Sequence, residues 1–504
     1  MQNKITIGII ALLLGALLNA CAVGPNFLQP NAPKTDHYTT TPLPEKTEAA
    51  NAVTGEAQHF VSEQLIPVDW WKLFHSEALN KMIQQALTDS PTIAAAEATL
   101  RQAQENLEAQ KGGFYPRVDL SGGATREKFS AAGFGEPSIP SSIFNLYNAS
   151  VNVSYDFDLF GSVRRQVEGA KAEAEYQAYE LKAAHLALVS NLTTTAFKEA
   201  ALRAQLDATR DMIKAQAEQL TIMKKQLVLG GVAQADVITE SRQVEQTEAT
   251  LSPLEKELEQ TRNQLAVYAG KLPSESNLPE FHLEVFTLPQ ELPVSLPSAL
   301  VRQRPDIRAA EARLHEASAN VGVATANLFP QFKLSASYGP EVTEASEFFN
   351  KNSMIWSLGG SLTQPLFHGG ELMARRRASK AAYDEAAANY RQVVLIAFQN
   401  VADTLKALDA DAKTLKAYAN ANVQAKAALE ITEQQYRLGG ISHLALLDAE
   451  RQYQQTRLDL AQAQAARLAD TAALFAALGG GWWNVKPEDG SLKPDGTVQT
   501  KPHG

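Results

Sequence analysis

Cysteine is all but missing: the 504 residues hold only Cys21. An intramolecular disulfide and a cysteine metal cluster are thereby excluded. Aromatic residues are scarce at 7%, although 45% of the chain is apolar. Alanine dominates the helical tracts, so the chain builds slender helices that approach closely more than a thick globular core. No block of Lys and Arg with interleaved aromatics occurs, and the formal net charge is −10. Nucleic acid is therefore not an expected partner. GxSxG, HExxH and a phosphate-binding glycine loop are also missing; His315-Glu316 comes nearest, but Ala319 stands where the second histidine belongs. The nine histidines are scattered. Acid pairs such as Asp156 and Asp158 read as solvated, so neither catalysis, a cofactor nor a metal site is expected.

What the chain does have is a duplication. Gln226 to Leu251 (QLVLGGVAQADVITESRQVEQTEATL) aligns without gaps on Gln435 to Leu460 (QYRLGGISHLALLDAERQYQQTRLDL), about 210 residues later. Leu229-Gly230-Gly231 falls on Leu438-Gly439-Gly440, and Arg242-Gln243 on Arg451-Gln452. Each glycine pair interrupts a long helical pattern where the chain can turn through positive φ without a Cβ penalty, so one helix stops and another starts. Ser442 is placed to cap the second outgoing helix. One copy would be a plain turn; two at matched positions make an architectural feature. Pro91 to Ala98 likewise matches Pro305 to Ala312, and Tyr115-Pro116 matches Phe329-Pro330. The expected repeats span 68–297 and 298–483.

In chain order, Met1 to Ala20 has the form of a secretion signal, with Lys4 before an apolar run too short for a comfortable membrane span. Leu18-Asn19-Ala20-Cys21 resembles a lipobox, which would make Cys21 the acylated first residue of the mature chain; the alternative is an ordinary signal with an incidental thiol. Residues 21–67, rich in Pro, Thr, Glu and Asn, read as a lipidated tether. After a helical stretch the period changes to two. Tyr147, Ala149, Val151, Val153, Tyr155 and Phe157 lie on one face; Asn148, Ser150, Asn152, Ser154 and Asp156 lie on the other. Strands are expected at about 118–126 and 147–159, and again at about 332–340 and 355–366. Alternation alone fits a half-buried soluble hairpin as well as a membrane strand; the leader and the flanking helices select a barrel. Four strands cannot close one, and open edges are not viable in lipid, so several chains must contribute. Residues 162–229 and 371–438 are proline-free helical tracts, each about 100 Å long at 1.5 Å per residue. Both are too polar for lipid and must stand in an aqueous compartment. Return helices follow at 232–270, with Pro253 as the expected kink or break, and at 443–478; a disordered tail is expected over 484–504. Arg164-Arg165 and Arg375-Arg376-Arg377 recur where the long helices start. They suit either surface pairing, such as Arg164 with Glu168, or contact with anionic headgroups.

The set of motifs resembles the TolC-type outer-membrane factors, in the lipoprotein (NodT/OprM-like) branch. The resemblance is carried by Cys21 to Phe27 (CAVGPNF), Trp70-Trp71, Asp156 to Gly161 (DFDLFG), Arg302 to Ile307 (RQRPDI), Val321 to Ala326 (VGVATA), Leu446 to Glu450 (LLDAE) and Ala477 to Trp482 (ALGGGW). It implies an α+β membrane protein in which a duplicated unit gives four transmembrane β-strands and very long periplasmic α-helices per protomer. A homotrimer would share a twelve-stranded β-barrel continued by an α-helical barrel. It further implies an exit duct for drugs or toxic small molecules, in the outer membrane and lipid-anchored at its periplasmic face. The implied partners are outer-membrane lipid, a periplasmic adaptor and an inner-membrane pump of the resistance-nodulation-division type. The duct of a protein-secretion system uses the same architecture, and a structural envelope lipoprotein is a third reading that the amphipathic strands disfavour.

Two sites are expected from the resemblance. The tips Leu229, Gly230, Gly231, Leu438, Gly439 and Gly440 would meet the adaptor. Tyr436, Leu444, Asp448 and Arg451 match the family's periplasmic gate, with Asp236 just past the first tip as a further candidate. Asp448 and Arg451 share one helix face with Leu444 a turn earlier. Without the family, the Asp448–Arg451 pair reads as a solvated helix pair.

Overall fold

The computed structural model describes residues 22–130, 140–275 and 277–484. The signal segment, Cys21 and residues 485–504 of the expected tail lie outside the described residues. In chain order the elements are β1 (His59–Ser62), α1 (Glu77–Asp89), α2 (Pro91–Lys111), β2 (Arg117–Phe129), β3 (Ser142–Phe157), α3 (Ser162–Val228), α4 (Gln234–Glu248), α5 (Leu251–Tyr268), β4 (Glu291–Val294), α6 (Pro297–Gln303), α7 (Pro305–Ala326), β5 (Gln331–Val342), β6 (Met354–Thr363), α8 (Glu371–Arg437) and α9 (His443–Ala477). The chain divides into two compact units.

One unit comprises Met1–Gln29, Leu100–Tyr176 and Ala310–Tyr390. Its centre is an antiparallel sheet in the order β2-β3-β5-β6. The period-2 pattern becomes two chemically distinct faces. Leu120, Val151, Tyr338 and Trp356 pair across all four strands on one face; Asp119, Asn152, Ser337 and Ser357 pair on the other. On the apolar face Leu120 is 80% exposed and Trp356 75%. The polar face is laced by Ser337 Oγ to Ser357 Oγ (2.8 Å) and by Asn152 Nδ2 donating to Ser121 Oγ (2.8 Å). Among the described residues, no strand pairs with the outer edge of β2 or β6.

The strands depart from the expected limits. The β2–β3 ladder continues through Glu127–Phe144 to Phe129–Ser142, beyond the expected strand limits. Backbone pairing satisfies those main-chain groups whatever the side chains are. β6 ends at Thr363 instead of 366, just before Pro365, which has no N–H for a ladder. At the foot of the sheet Asp158 starts α3: its carboxylate accepts from the N–H groups of Val163 and Arg164, both at 2.9 Å. Arg164 bonds back to Asp158, Arg165 donates to Glu168 Oε2 at 2.6 Å, and Arg375 pairs with Glu371. Val23 N donates to Phe160 O (3.1 Å), and Arg165 Nη2 to Asn26 Oδ1 (2.7 Å). The chain just after Cys21 is thus fastened to the strand–helix junction.

The second unit comprises Pro30–Thr99, Gln177–Ala309 and Arg391–Gly504. Here aromatics are concentrated where helices need a thicker filling. Trp70 stacks on Phe475, Phe74 meets Phe197, and Phe197 meets Phe286, with ring centroids 4.8–5.4 Å apart. The expectation of a tether over 21–67 is corrected. β1 pairs parallel with β4, and Thr47, Thr54, Gln58 and Ile66 are buried. Gln58 Nε2 donates to Pro289 O and Thr471 Oγ1, and fully buried Arg467 donates to Thr47 Oγ1 and Glu56 O. Polar residues that suggest disorder in isolation are here the hydrogen-bonding partners of a docked segment. The return stretch 232–270 breaks near Pro253 as expected, but just ahead of the proline: α4 and α5 part at Ala249-Thr250, and Pro253 lies in the first turn of α5. A proline there needs no helical N–H partner, so it begins a helix without kinking one.

Candidate functional site at the paired helix tips

Both long helices, α3 and α8, run 67 residues and end in the same way. Gly231 N donates to Gln226 O (2.8 Å) and Gly230 N to Leu227 O (3.0 Å). Gly440 N donates to Gln435 O (2.8 Å) and Gly439 N to Tyr436 O (2.9 Å). Each is a Schellman motif, which satisfies the last helical carbonyls with the first two amides of the turn. Gly230 and Gly439 have φ of +72° and +73°, and no atom lies within 4 Å of where a Cβ would stand. The glycines are required by conformation alone. Gly231 and Gly440 have no positive φ. Leu229 and Leu438, at the apices, are 84% and 87% exposed. Ser442 caps α9 as expected, its hydroxyl accepting from Ala445 N.

The five residues expected at a constriction fall into two groups. Leu444, Asp448 and Arg451 form an exposed row on the first turns of α9. Leu444 is 70% exposed; Arg451 Nη2 donates to Asp448 Oδ1 (2.6 Å), and Gln452 Nε2 to Asp448 Oδ2 (2.7 Å). Tyr436 is elsewhere: its ring packs at 5.5 Å on His443, and burial, then the charges of Asp236 and Glu240, push its hydroxyl pKa up. Tyr436 and Asp236 therefore belong between the hairpins and not to the exposed row.

A polar group that sequence reasoning missed lies beside them. Gln216 and Glu240 are fully buried, and His443 and Glu450 nearly so. The overlooked signal is periodic. His443, Leu446, Leu447 and Glu450 occupy the buried stripe of α9, as Val237, Glu240, Val244 and Thr247 occupy that of α4. Ionisable residues stand where the pattern calls for apolar ones. Below this layer Leu220, Met223, Val237 and Val244 form the apolar filling of the first hairpin. Among the described residues, no cluster of His, Cys, Asp or Glu is placed to hold a metal ion, and no helix is long and apolar enough to cross a membrane.

The family model for outer membrane efflux proteins matches residues 82–271 and 296–480, one segment in each repeat. The chain belongs to the outer membrane efflux protein family. It is 27% identical over 503 residues to the probable efflux pump outer membrane protein TtgC of Pseudomonas putida, covering 99% of both chains. It is 28% identical over 419 residues to the probable outer membrane lipoprotein SilC of Salmonella typhimurium, covering 82% of this chain and 88% of SilC. Among solved structures, the outer-membrane channel OprN superposes with a TM-score of 0.81 at 28% identity, over 92% of this chain and all of OprN. As an outer membrane efflux protein, the chain is a channel component. It resides in the outer membrane through β2, β3, β5 and β6, and its long helices extend into the periplasm. The apolar row at Leu120 and Trp356 is then the lipid-facing side of the sheet, and the Asp119–Ser357 row the aqueous side.

Proposed function

We propose that three copies of this chain assemble into a passive exit duct of a tripartite pump for drugs or toxic small molecules. The observation that carries this reading is the open four-stranded sheet, which has an apolar outer face and, among the described residues, two unpaired edges. Exposed edges are not tolerated in lipid, so copies of β2 and β6 from neighbouring protomers must pair to close one barrel. The exposed apolar apices Leu229 and Leu438, each on a stiff Schellman turn, offer a periplasmic adaptor a repeated docking shape. That adaptor joins the duct to an inner-membrane pump of the resistance-nodulation-division type. Lipid on Cys21 anchors the chain at the periplasmic face of the outer membrane, and the name of SilC as a lipoprotein supports this.

The duct narrows at its periplasmic end, where rings of Leu444, Asp448 and Arg451 face the axis; Tyr436 and Asp236 brace that end from between the hairpins. Mass measurement in mild detergent tests the assembly. Three protomers per particle, conducting ions when reconstituted in bilayers, are expected. A monomer whose strands remain membrane-embedded contradicts the proposal.

A further inference from the structure

Close behind the glycine turns, the two hairpins meet through charged groups sealed from solvent. Gln216 of α3 and Glu240 of α4 are 0% exposed, and His443 and Glu450 of α9 are each 7% exposed. His443 Nε2 and Glu240 Oε2 are 2.9 Å apart, which links the first hairpin to the second. Around this link, Glu240 Oε1, His443 Nδ1, Glu450 Oε2 and Gln216 Oε1 are buried without a hydrogen-bond partner. A site serving packing alone would carry Leu or Val here, because unpaired buried polar atoms are costly. The surrounding helices add further charge: Glu433 and Tyr436 from α8 and Asp236 from α4, with the neutral amides of Gln216 and Gln219 from α3. One imidazole therefore faces two buried acids, Glu240 and Glu450, with half-buried acids around them.

We propose that Glu240, His443, Glu450 and Gln216 form a proton-dependent latch that positions the first turns of α9 against the first hairpin. With Glu450 protonated the helix is seated; when Glu450 loses its proton the helix loosens. The inference rests on the reading that those turns carry the constriction. Burial, then the charge of Glu240, pushes the Glu450 carboxyl up to about 7, with Glu433 adding and His443 and a hydrogen bond from Gln216 opposing. In a loosened hairpin the carboxyl is hydrated and returns toward its ordinary 4.5. The seated form thus binds more protons. It is fully favoured below the ordinary value and loses that advantage as pH rises through about 7. An efflux duct built this way closes more firmly as the compartment around its tips acidifies.

The test is backbone hydrogen exchange over residues 434–452 of the full-length protein in mild detergent. It is followed from pH 5.5 to 8.0 and corrected for the intrinsic pH dependence of exchange. Wild-type protection is expected to fall by roughly tenfold or more across that range. Glu450→Gln, permanently neutral, should hold the acid-side protection throughout. Glu450→Leu, which removes the polar atoms, should do the same and covers the case in which the amide variant fails to fold. A flat wild-type profile, or neutral variants that follow the wild-type profile, overturns the latch. Conductance of the same samples separates the two readings. Exchange that changes with pH while conductance does not keeps the latch and removes the constriction from α9.

Discussion

Replacing Asp448 and Arg451 together by alanine is the most direct test of the constriction, because the structure bounds the change in stability. Both side chains are exposed, 47% for Asp448 and 69% for Arg451. An exposed pair of this kind contributes about 0.2–1 kcal/mol. The Gln452–Asp448 bond is a further i,i+4 contact worth about 0.2–0.5 kcal/mol. Against these losses, alanine is the better helix former at both positions, by up to about 0.7 kcal/mol at the aspartate. The sum is close to zero, too little to move a melting midpoint by more than roughly 2 °C. No packing is lost, so assembly should be untouched. In the proposed duct a ring of three such pairs, by contrast, would set the bore and charge of the aperture, where each side chain acts on every ion that passes. Single-channel recording in bilayers should show raised conductance and weaker cation preference in the double mutant, and cells producing it should leak antibiotic inward. Wild-type conductance and selectivity in an assembled double mutant would refute the assignment and leave Asp448–Arg451 as a solvated helix pair.

Three further outcomes follow from other parts of the chain. Gly439→Val or Gly230→Val must force a β-branched residue to positive φ, at a cost of about 1–2 kcal/mol. Adaptor crosslinking should weaken, whereas Gly440→Ala, at a position without positive φ, should behave as wild type. Trp356→Lys places a charge on the lipid-facing side of β6 and should destabilise in a reversible unfolding assay, by up to about 4 kcal/mol depending on depth; Ser357→Lys, one residue along on the polar face, should cost far less. Cys21→Ser should abolish incorporation of labelled palmitate while leaving part of the protein exported, and label in that variant would show the lipid to be elsewhere.

The elements that announced themselves in the sequence are those whose period is long and unbroken. The alternation from Tyr147 to Phe157 and the two proline-free tracts each repeat one simple rule often enough to be read; the tracts emerge close to their expected ends, and the alternation lies within β3, which begins earlier at Ser142. The glycine turns were legible because the duplication displays them twice. The docked segment before Pro67 was not. Its burial depends on partners such as Pro289 and Thr471, hundreds of residues away, and composition reports only that the segment is polar. The buried group at Glu240, His443 and Glu450 was hidden for another reason. A Glu on a helix is usually a solvated face, and only the phase of the apolar stripe shows that these point inward. Tyr436 was grouped with Asp448 by the resemblance to the family's periplasmic gate. The structure separates them because Tyr436 ends one helix, facing His443, while Asp448 begins the second turn of the next.

The duplication also explains why the two hairpins do not share one task. The alignment that superposes the glycines sets Gln234 against His443, Ala235 against Leu444, Thr239 against Asp448 and Ser241 against Glu450. Only the arginine is kept, and in the first copy Arg242 donates to the neutral Gln246. The first hairpin therefore has the turn but neither the apolar ring residue nor the acid of the exposed row. It contributes Glu240 instead, opposite Ala449 in the second copy, and that residue receives His443 across the hairpin boundary. Identical Schellman turns fix where each pair of helices reverses, and the first two turns beyond them are where the copies diverge. One hairpin carries the exposed row, and the other supplies the buried acid that His443 meets.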